Sequence, residues 1–372
     1  MIDQKCFTRE WLDSFKNQKE HKRIQTNILE KMIRALHLVE LLKDHGLDFV
    51  FKGGTSLILL LDDANRFSID VDIICNEEKD TLESVLNEVI KKSDFISLVR
   101  DNRSNKKGVP KAHYKFEFQS VYNSNSTDHI LLDILRNDTV YTDIIECPIE
   151  TKWIVNNHDI TVKTPSIDAI TGDKLTAFAP NTIGIPYKKG GYSSSMEISK
   201  QLYDLSRLFD HISDMTVVKD NFLSIAKKEI GFKLREGSQG DNHLSPETVL
   251  KDTINTCFII TKRNANKRKP DKNNFKLLQD GIKAFGDGYL MSGKFRIDDA
   301  VMAAAKVGYL ATKILVQDIN PISYFEGQKI GSLLIEQPEW NYLNKLKKQP
   351  DKSAFYYWIK AIELLRKNKI II

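Results

Sequence analysis

Asp70 and Asp72 stand two residues apart in the run Arg66-Phe-Ser-Ile-Asp-Val-Asp, shortly after Phe51-Lys52-Gly53-Gly54-Thr55-Ser56-Leu57. On an extended strand, side chains two apart share a face, so both carboxylates reach one divalent cation. Gly53 and Gly54 bring no Cβ atom that would keep a phosphate away from backbone N–H groups. A glycine turn combined with paired acids is the apparatus for holding a nucleoside triphosphate with its magnesium. Each half alone has a plainer explanation, a Gly-Gly as a simple turn and an Asp-x-Asp as a solvated strand edge. Their conjunction on consecutive elements, which a compact sheet places side by side, points to a site.

The elements that must position these residues are legible in the hydrophobic periodicity. Residues 25–44 carry Ile28, Leu29, Met32, Ile33, Leu36 and Val39 at helix spacing, and Gly46 follows as a stop. Asp48 to Lys52 predicts a short strand into the glycine turn, Leu57 to Leu61 an apolar helical stretch, and Ile69 to Ile74 the acid-bearing strand. Residues 80–92 predict another helix, with strands at 96–100, 112–119 and 129–135 and a polar hairpin loop over 101–110.

A third acid, Asp133, interrupts the apolar run His129-Ile-Leu-Leu-Asp-Ile-Leu. A buried acid is costly to ionise without a cation for company. Arg136 is one available partner. A metal already faced by two acids is the other, and it makes Asp70, Asp72 and Asp133 a three-carboxylate cluster. Oxygen-only ligation suits Mg²⁺ or Mn²⁺ and not zinc. Arg66 is read as a phosphate contact or, preferably, as a structural partner of the aspartates, and Ser68 as the residue that orients Asp70.

The texture changes near Thr164-Pro165-Ser166, which sets a boundary between residues 1–165 and 166–372. Beyond it the chain reads as helical. A helix follows Ser166, Gly184-Ile-Pro186 breaks it, and a loop at Lys188-Lys-Gly-Gly-Tyr-Ser-Ser-Ser is expected to act as a flap over the nucleotide. Further helices are predicted around Lys200-Gln-Leu-Tyr-Asp204 and at 247–260, 297–316 and 353–367, with a loop over 235–246. The fold class expected is α+β with an α/β-type mixed sheet and a C-terminal helical domain.

Composition narrows the function. The net charge is +5, and no apolar run approaches membrane-spanning length. Cys6, Cys75, Cys147 and Cys257 are far apart, without disulfide or zinc spacing, and the N-terminus carries charge where a signal peptide needs an apolar core. A cytoplasmic protein without membrane contact is expected. The stretch from Lys262 to Lys276 holds seven basic residues against one acid, which is either a solvated loop or a contact to a polyanion such as RNA.

Lys52-Gly-Gly-Thr-Ser-Leu57 with Arg66-Phe-Ser-Ile-Asp70-Val-Asp72, then Asp173-Lys174-Leu-Thr-Ala177 and Lys200-Gln-Leu-Tyr-Asp204-Leu205, resembles the AbiEii-type nucleotidyltransferase toxins. These belong to the DNA polymerase β-like nucleotidyltransferase superfamily. The four blocks keep the family's order over residues 51–208. The resemblance implies a mixed-sheet nucleotidyltransferase domain followed by a helical domain, with the site in the cleft between. It implies that Gly53, Gly54, Thr55 and Ser56 bind the triphosphate and that Asp70 and Asp72 ligate the metal. It also implies that Lys174 contacts phosphates and that Asp204 lies near the reacting groups. The family does not always keep a third carboxylate at the place of Asp133. Many members carry an arginine shortly after the position of Lys174, where this chain reads Phe178-Ala-Pro-Asn-Thr-Ile-Gly-Ile-Pro186.

Taken alone, Lys174 reads as a helix-surface lysine and Asp204 as an acid in a helix's first turn. The reaction implied is transfer of a nucleoside monophosphate from an NTP to RNA, the acceptor end of tRNA foremost, by a toxin held inactive by a partner antitoxin. An antibiotic-modifying type of nucleotidyltransferase with a small acceptor is the second reading, and a binding module without turnover is the third. The retention of both Asp70 and Asp72 speaks against the third.

Overall fold

A computed structural model describes residues 1–18, 24–62, 64–100, 110–122, 127–235 and 243–372. The described chain divides into two compact units, Met1–Ser166 with Gly288–Gly293, and Ile167–Asp287 with Lys294–Ile372. Of the loops expected at 101–110 and 235–246, residues 101–109 and 236–242 lie outside the described residues, and Pro246 already opens a helix.

In the first unit, the Thr8 hydroxyl accepts the Trp11 N–H at 3.3 Å and caps α1 (Arg9–Lys16). The long helix α2 (Thr26–Asp44) is buried nearly all round: its apolar spacing accounts for one face, and the burial extends to the polar Glu30, Arg34, His37 and Glu40. Its buried acids have partners: Glu30 accepts from Ser120 Oγ at 2.8 Å and Val121 N at 2.9 Å, and Glu40 Oε2 accepts from Ile2 N at 2.8 Å, with the N-terminal ammonium 3.7 Å from Oε1. The remaining elements are β1 (Val50–Lys52), α3 (Gly53–Leu60), β2 (Val71–Ile74), α4 (Lys79–Lys92), β3 (Phe95–Arg100), β4 (Lys111–Gln119), β5 (Thr127–Leu135), β6 (Ile144–Pro148) and β7 (Thr161–Pro165).

The seven strands form one mixed sheet in the order β3-β4-β5-β2-β1-β7-β6, with β5–β2 and β1–β7 parallel and the rest antiparallel. Alternation sorts the sheet into two faces. Phe51, Val71, Ile73, Leu132, Ile134 and Phe116 are buried in the core that α2 and α4 cover. Lys52, Asp72, Asp133 and His113 fall on the other parity. β6 and β7 were not expected from sequence. They are short, lie toward one edge of the sheet, and carry too few apolar residues to announce themselves.

The second unit is built on α5 (Ile167–Ala177), a hairpin of β8 (Lys188–Lys189) and β9 (Tyr192–Ser193), α6 (Ser195–Phe209), α7 (Met215–Arg235), α8 (Pro246–Lys262), α9 (Lys269–Gly288), α10 (Ile297–Leu315) and α11 (Ser353–Lys367). Close backbone crossings set its packing. A Cβ on Gly172 would come within 2.6 Å of the Val218 carbonyl, so α5 and α7 touch at that residue. A Cβ on Gly308 would come within 2.7 Å of Trp358, whose indole also stacks on Phe258 at 4.4 Å. Asp168 accepts from Ser213 N, Ser213 Oγ and Asp214 N at 3.0, 2.6 and 3.0 Å, which anchors the entry to α7. The expected loop at Lys188 is a paired hairpin, and the stretch read as a basic loop is largely the first half of α9.

Candidate active site

β1 delivers the chain into Gly53, which adopts φ +81°, a left-handed conformation that costs a side chain dearly. A Cβ there would also collide with the Asp72 carboxylate. One residue on, a Cβ on Gly54 would come within 2.5 Å of the Arg66 guanidinium and 2.8 Å of Ser68 Oγ. The two glycines are thus the first turn of α3, and their backbone is packed directly on Asp72, Arg66 and Ser68. The leading N–H groups of a helix have no intrahelical partner, so this turn offers donors beside a carboxylate.

Thr55 and Ser56 are fully buried, and their hydroxyls are engaged within the protein, Ser56 inside the turn and Thr55 with the segment before β2. Thr55 Oγ1 lies 2.5 Å from the Asp70 carbonyl and 2.9 Å from Ser68 Oγ, and Ser56 Oγ donates to the Gly53 carbonyl at 3.0 Å. What they can offer a phosphate is backbone alone. Ser68 meets Asp70 through Thr55, a link that holds the acid-bearing segment to α3. Arg66 is buried, bridges to Leu290, and donates to the Phe67 carbonyl at 2.9 Å. Asp70 is exposed and directly precedes β2.

Across the sheet, register aligns four ionisable residues in one row: Lys52 opposite Asp72, Asp72 beside Asp133, and Asp133 opposite His113. Adjacent strands are about 4.8 Å apart, so Asp72 and Asp133 are immediate neighbours. The premise that Asp133 is buried needs correcting. Its side chain keeps 34% of its surface exposed because its face of β5 is the open one, and His113 Nδ1 meets Asp133 Oδ1 at 2.7 Å. Arg136, the partner weighed from sequence, donates instead to the Glu77 carbonyl at 3.3 Å. Sequence reasoning missed His113, since only cross-strand register brings it to Asp133.

No three His, Cys, Asp or Glu side chains converge as a metal cage among the described residues. The donors present still fit a hard cation, because Mg²⁺ is ordinarily held by one or two carboxylates with nucleotide phosphates and waters completing the shell.

In the second unit, Lys174 on α5 and Asp204 on α6 form an ion pair at 2.7 Å with side chains 7% and 1% exposed. Gln201 Oε1 accepts from the same ammonium at 3.3 Å. Lys174 is therefore no surface lysine, and Asp204 sits in the middle of α6, not in its first turn. The basic stretch divides in the same way. Arg263 pairs with Asp298, Arg268 pairs with Asp271 through two contacts at 2.8 and 3.0 Å, and Lys262 is half-buried over the Tyr342 ring.

A family model described as the nucleotidyl transferase AbiEii toxin of type IV toxin–antitoxin systems matches residues 38–283, more than half of the chain. Among solved structures, the nucleotidyltransferase toxin MenT4 from Mycobacterium tuberculosis is similar at 14% identity and TM-score 0.48, over 84% of this chain and 90% of that one. JHP933 from Helicobacter pylori is similar at 15% identity and TM-score 0.40, over 77% and 90%. No curated protein matches the chain.

Proposed function

We propose, since the chain belongs to the AbiEii family of nucleotidyl transferase toxins of type IV toxin–antitoxin systems, that it transfers a nucleoside monophosphate from an NTP to RNA, with the acceptor end of tRNA as the favoured substrate. The observation that carries this reading is the packing of Gly53 on the Asp72 carboxylate, which sets an anion-binding turn against an acid suited to a cation. In the reaction, an RNA hydroxyl oxygen bonds to the α-phosphorus, the bond from that phosphorus to the bridging oxygen breaks, and pyrophosphate leaves. The hydroxyl proton passes to solvent or a nearby carboxylate.

Asp70 and Asp72, with Asp133 beside them, would hold Mg²⁺ or Mn²⁺. Such an ion supplies charge neutralisation at the attacking and leaving oxygens. The first turn of α3 binds the triphosphate through its N–H groups, with Arg66 and Ser68 shaping that turn. Lys174, held by Asp204 and Gln201, is assigned to the phosphates. Catalysis of this kind is mostly positioning and electrostatic stabilisation.

Support for an RNA acceptor comes from α9. Lys269, Lys272, Lys276 and Lys283 are all exposed and recur at helical spacing on one face, opposite buried Phe275, Leu278, Ile282 and Phe285. At 1.5 Å per residue the uninterrupted part of the stripe, Lys269 to Lys276, spans about 10 Å before exposed Asp280 and Asp287 appear on the same face, enough for one or two phosphates. A cognate antitoxin is the partner expected to hold the enzyme inactive. No helix among the described residues is long and apolar enough to cross a membrane.

The test is incubation with total tRNA, Mg²⁺ and each α-labelled NTP, beside Asp72→Ala. Label on tRNA with the intact chain alone supports the reading. Labelled small-molecule acceptors without labelled RNA would refute its RNA half, and equal transfer by Asp72→Ala would refute the metal site.

A further inference from the structure

The connection between the helices that carry Lys174 and Asp204 is a built hairpin. Its strands pair Lys188 with Ser193 and Lys189 with Tyr192. Gly190 and Gly191 take φ +57° and +85°, as a two-residue type I′ turn requires. The stalk is tied down at several points. Ile185 N donates to the Ala177 carbonyl at 3.0 Å, Ser194 N to the Tyr187 carbonyl at 3.0 Å, and Ser193 Oγ lies 2.8 Å from Ser195 Oγ. Asn181 and Thr182, just before the stalk, are held by buried Asp252 through contacts of 2.7 to 3.0 Å. Ser195 in turn lies under Gly281 of α9, where a Cβ would strike the Ser195 carbonyl.

What this anchored device presents serves no packing purpose. The Tyr192 side chain is on a residue 82% exposed, and Lys188 and Lys189 are exposed as well. Cross-strand partners share a face with Cβ atoms about 5 Å apart, so Lys189 and Tyr192 form one cation-plus-ring surface, while Lys188 extends from the opposite face. A flat ring beside an ammonium matches an unpaired base beside its phosphate. Base stacking on an aromatic is tolerant of sequence, and the lysines neutralise backbone charge. In a duplex the base faces are already stacked and closed to the ring.

We propose that the Lys188–Ser193 hairpin is a docking platform for single-stranded RNA, with Tyr192 stacking on an unpaired base and Lys188 and Lys189 on flanking phosphates. The proposal deepens the RNA reading above and rests on it.

The test is fluorescence anisotropy of the full chain with a labelled unstructured RNA oligonucleotide, over a salt series, for the intact protein, Tyr192→Ala, Tyr192→Phe and the double variant Lys188→Gln/Lys189→Gln. Tyr192→Ala should weaken binding about fivefold or more, while Tyr192→Phe keeps it, because the ring remains. The lysine double variant should reduce the slope of log affinity against log salt by about 1.4. Since the exchanged side chains are exposed, melting temperatures should match that of the intact chain. RNA labelled by the intact chain, with Tyr192→Ala binding RNA as tightly as the intact chain does, would overturn the hairpin role alone. An intact chain that neither binds nor labels RNA would overturn both readings. Equal affinity for duplex and single strand would remove the stacking role.

Discussion

Asp72 and Asp133 occupy the same level on the parallel strands β2 and β5, with Lys52 alongside the first and His113 alongside the second. Two carboxylates held as neighbours favour a bound cation, and a cation that binds only the folded chain stabilises it. Mg²⁺ should therefore raise the melting temperature of the intact protein, with less gain for Asp72→Asn and for Asp133→Asn. Nucleotidyl transfer by Asp72→Asn should fall by about 100-fold or more, the scale on which a charge-stabilising group at the reacting centre counts. A melting temperature indifferent to Mg²⁺ in the intact protein would count against the cation.

Gly53 and Gly46 offer an internal comparison. Both take positive φ, +81° and +84°, but a Cβ on Gly46 meets nothing within 4 Å, whereas one on Gly53 strikes Asp72. Gly46→Ala should cost about 1 kcal/mol from backbone strain alone. Gly53→Ala should cost clearly more and also weaken nucleotide binding, because the carboxylate must move. Urea unfolding measures the first quantity and nucleotide titration the second. Equal costs would mean that the Asp72 contact is slack.

The Lys174–Asp204 pair is buried, so removing one partner takes the nearest compensating charge from the other. Lys174→Met should destabilise the second unit by about 3 kcal/mol or more, and Lys174→Met/Asp204→Leu should recover part of that loss. Chemical denaturation of the two single variants and the double variant measures the coupling. The double variant should still fail in transfer if the ammonium serves the triphosphate. Full activity in the refolded double variant would reduce the pair to a structural one.

His37 on α2 is enclosed by Phe7 and Phe95, and burial pushes its pKa down from 6.5 to about 4. Asp94, with Oδ1 4.0 Å away, works against that shift, and Arg34 adds to it. The unfolded chain takes up the proton first. The stability due to neutral His37 is thus complete above about pH 6.5 and is lost as the pH falls toward 4, by about 3 kcal/mol at most. The difference in unfolding free energy between the intact chain and His37→Phe, followed from pH 7.5 to 4.5, should narrow or reverse over that window. A constant difference would show that His37 titrates alike in both states.

Much of the architecture was legible because helices and strands write themselves into nearest neighbours. The spacing of Ile28, Leu29, Met32, Ile33 and Leu36 reads directly as α2, and the alternation of Ala112, Tyr114, Phe116 and Phe118 as β4. The acid-bearing strand was visible in the same way, although β2 begins at Val71, so it holds Asp72 while Asp70 lies just before it. Elements with weak local signals were missed. Charge hides the apolar positions Phe275, Leu278 and Ile282 of α9, and α7 carries its buried Val218, Phe222 and Ile225 among many polar residues. The hairpin at Lys188 read as a loop because a two-residue strand has no period to detect.

Residue types and short spacings were enough to establish a glycine turn, a pair of acids two apart, and the family to which the chain belongs. They could not establish who stands beside whom. Asp72 meets Asp133, Asp133 meets His113, and Lys174 meets Asp204 through strand register and helix packing across 61, 20 and 30 residues of chain. Such contacts depend on how whole elements slide and cross to bury their apolar faces. A one-residue slip of β5 would turn Asp133 into the core and Leu132 out of it, so the open charged face of the sheet exists only once the core has chosen its register.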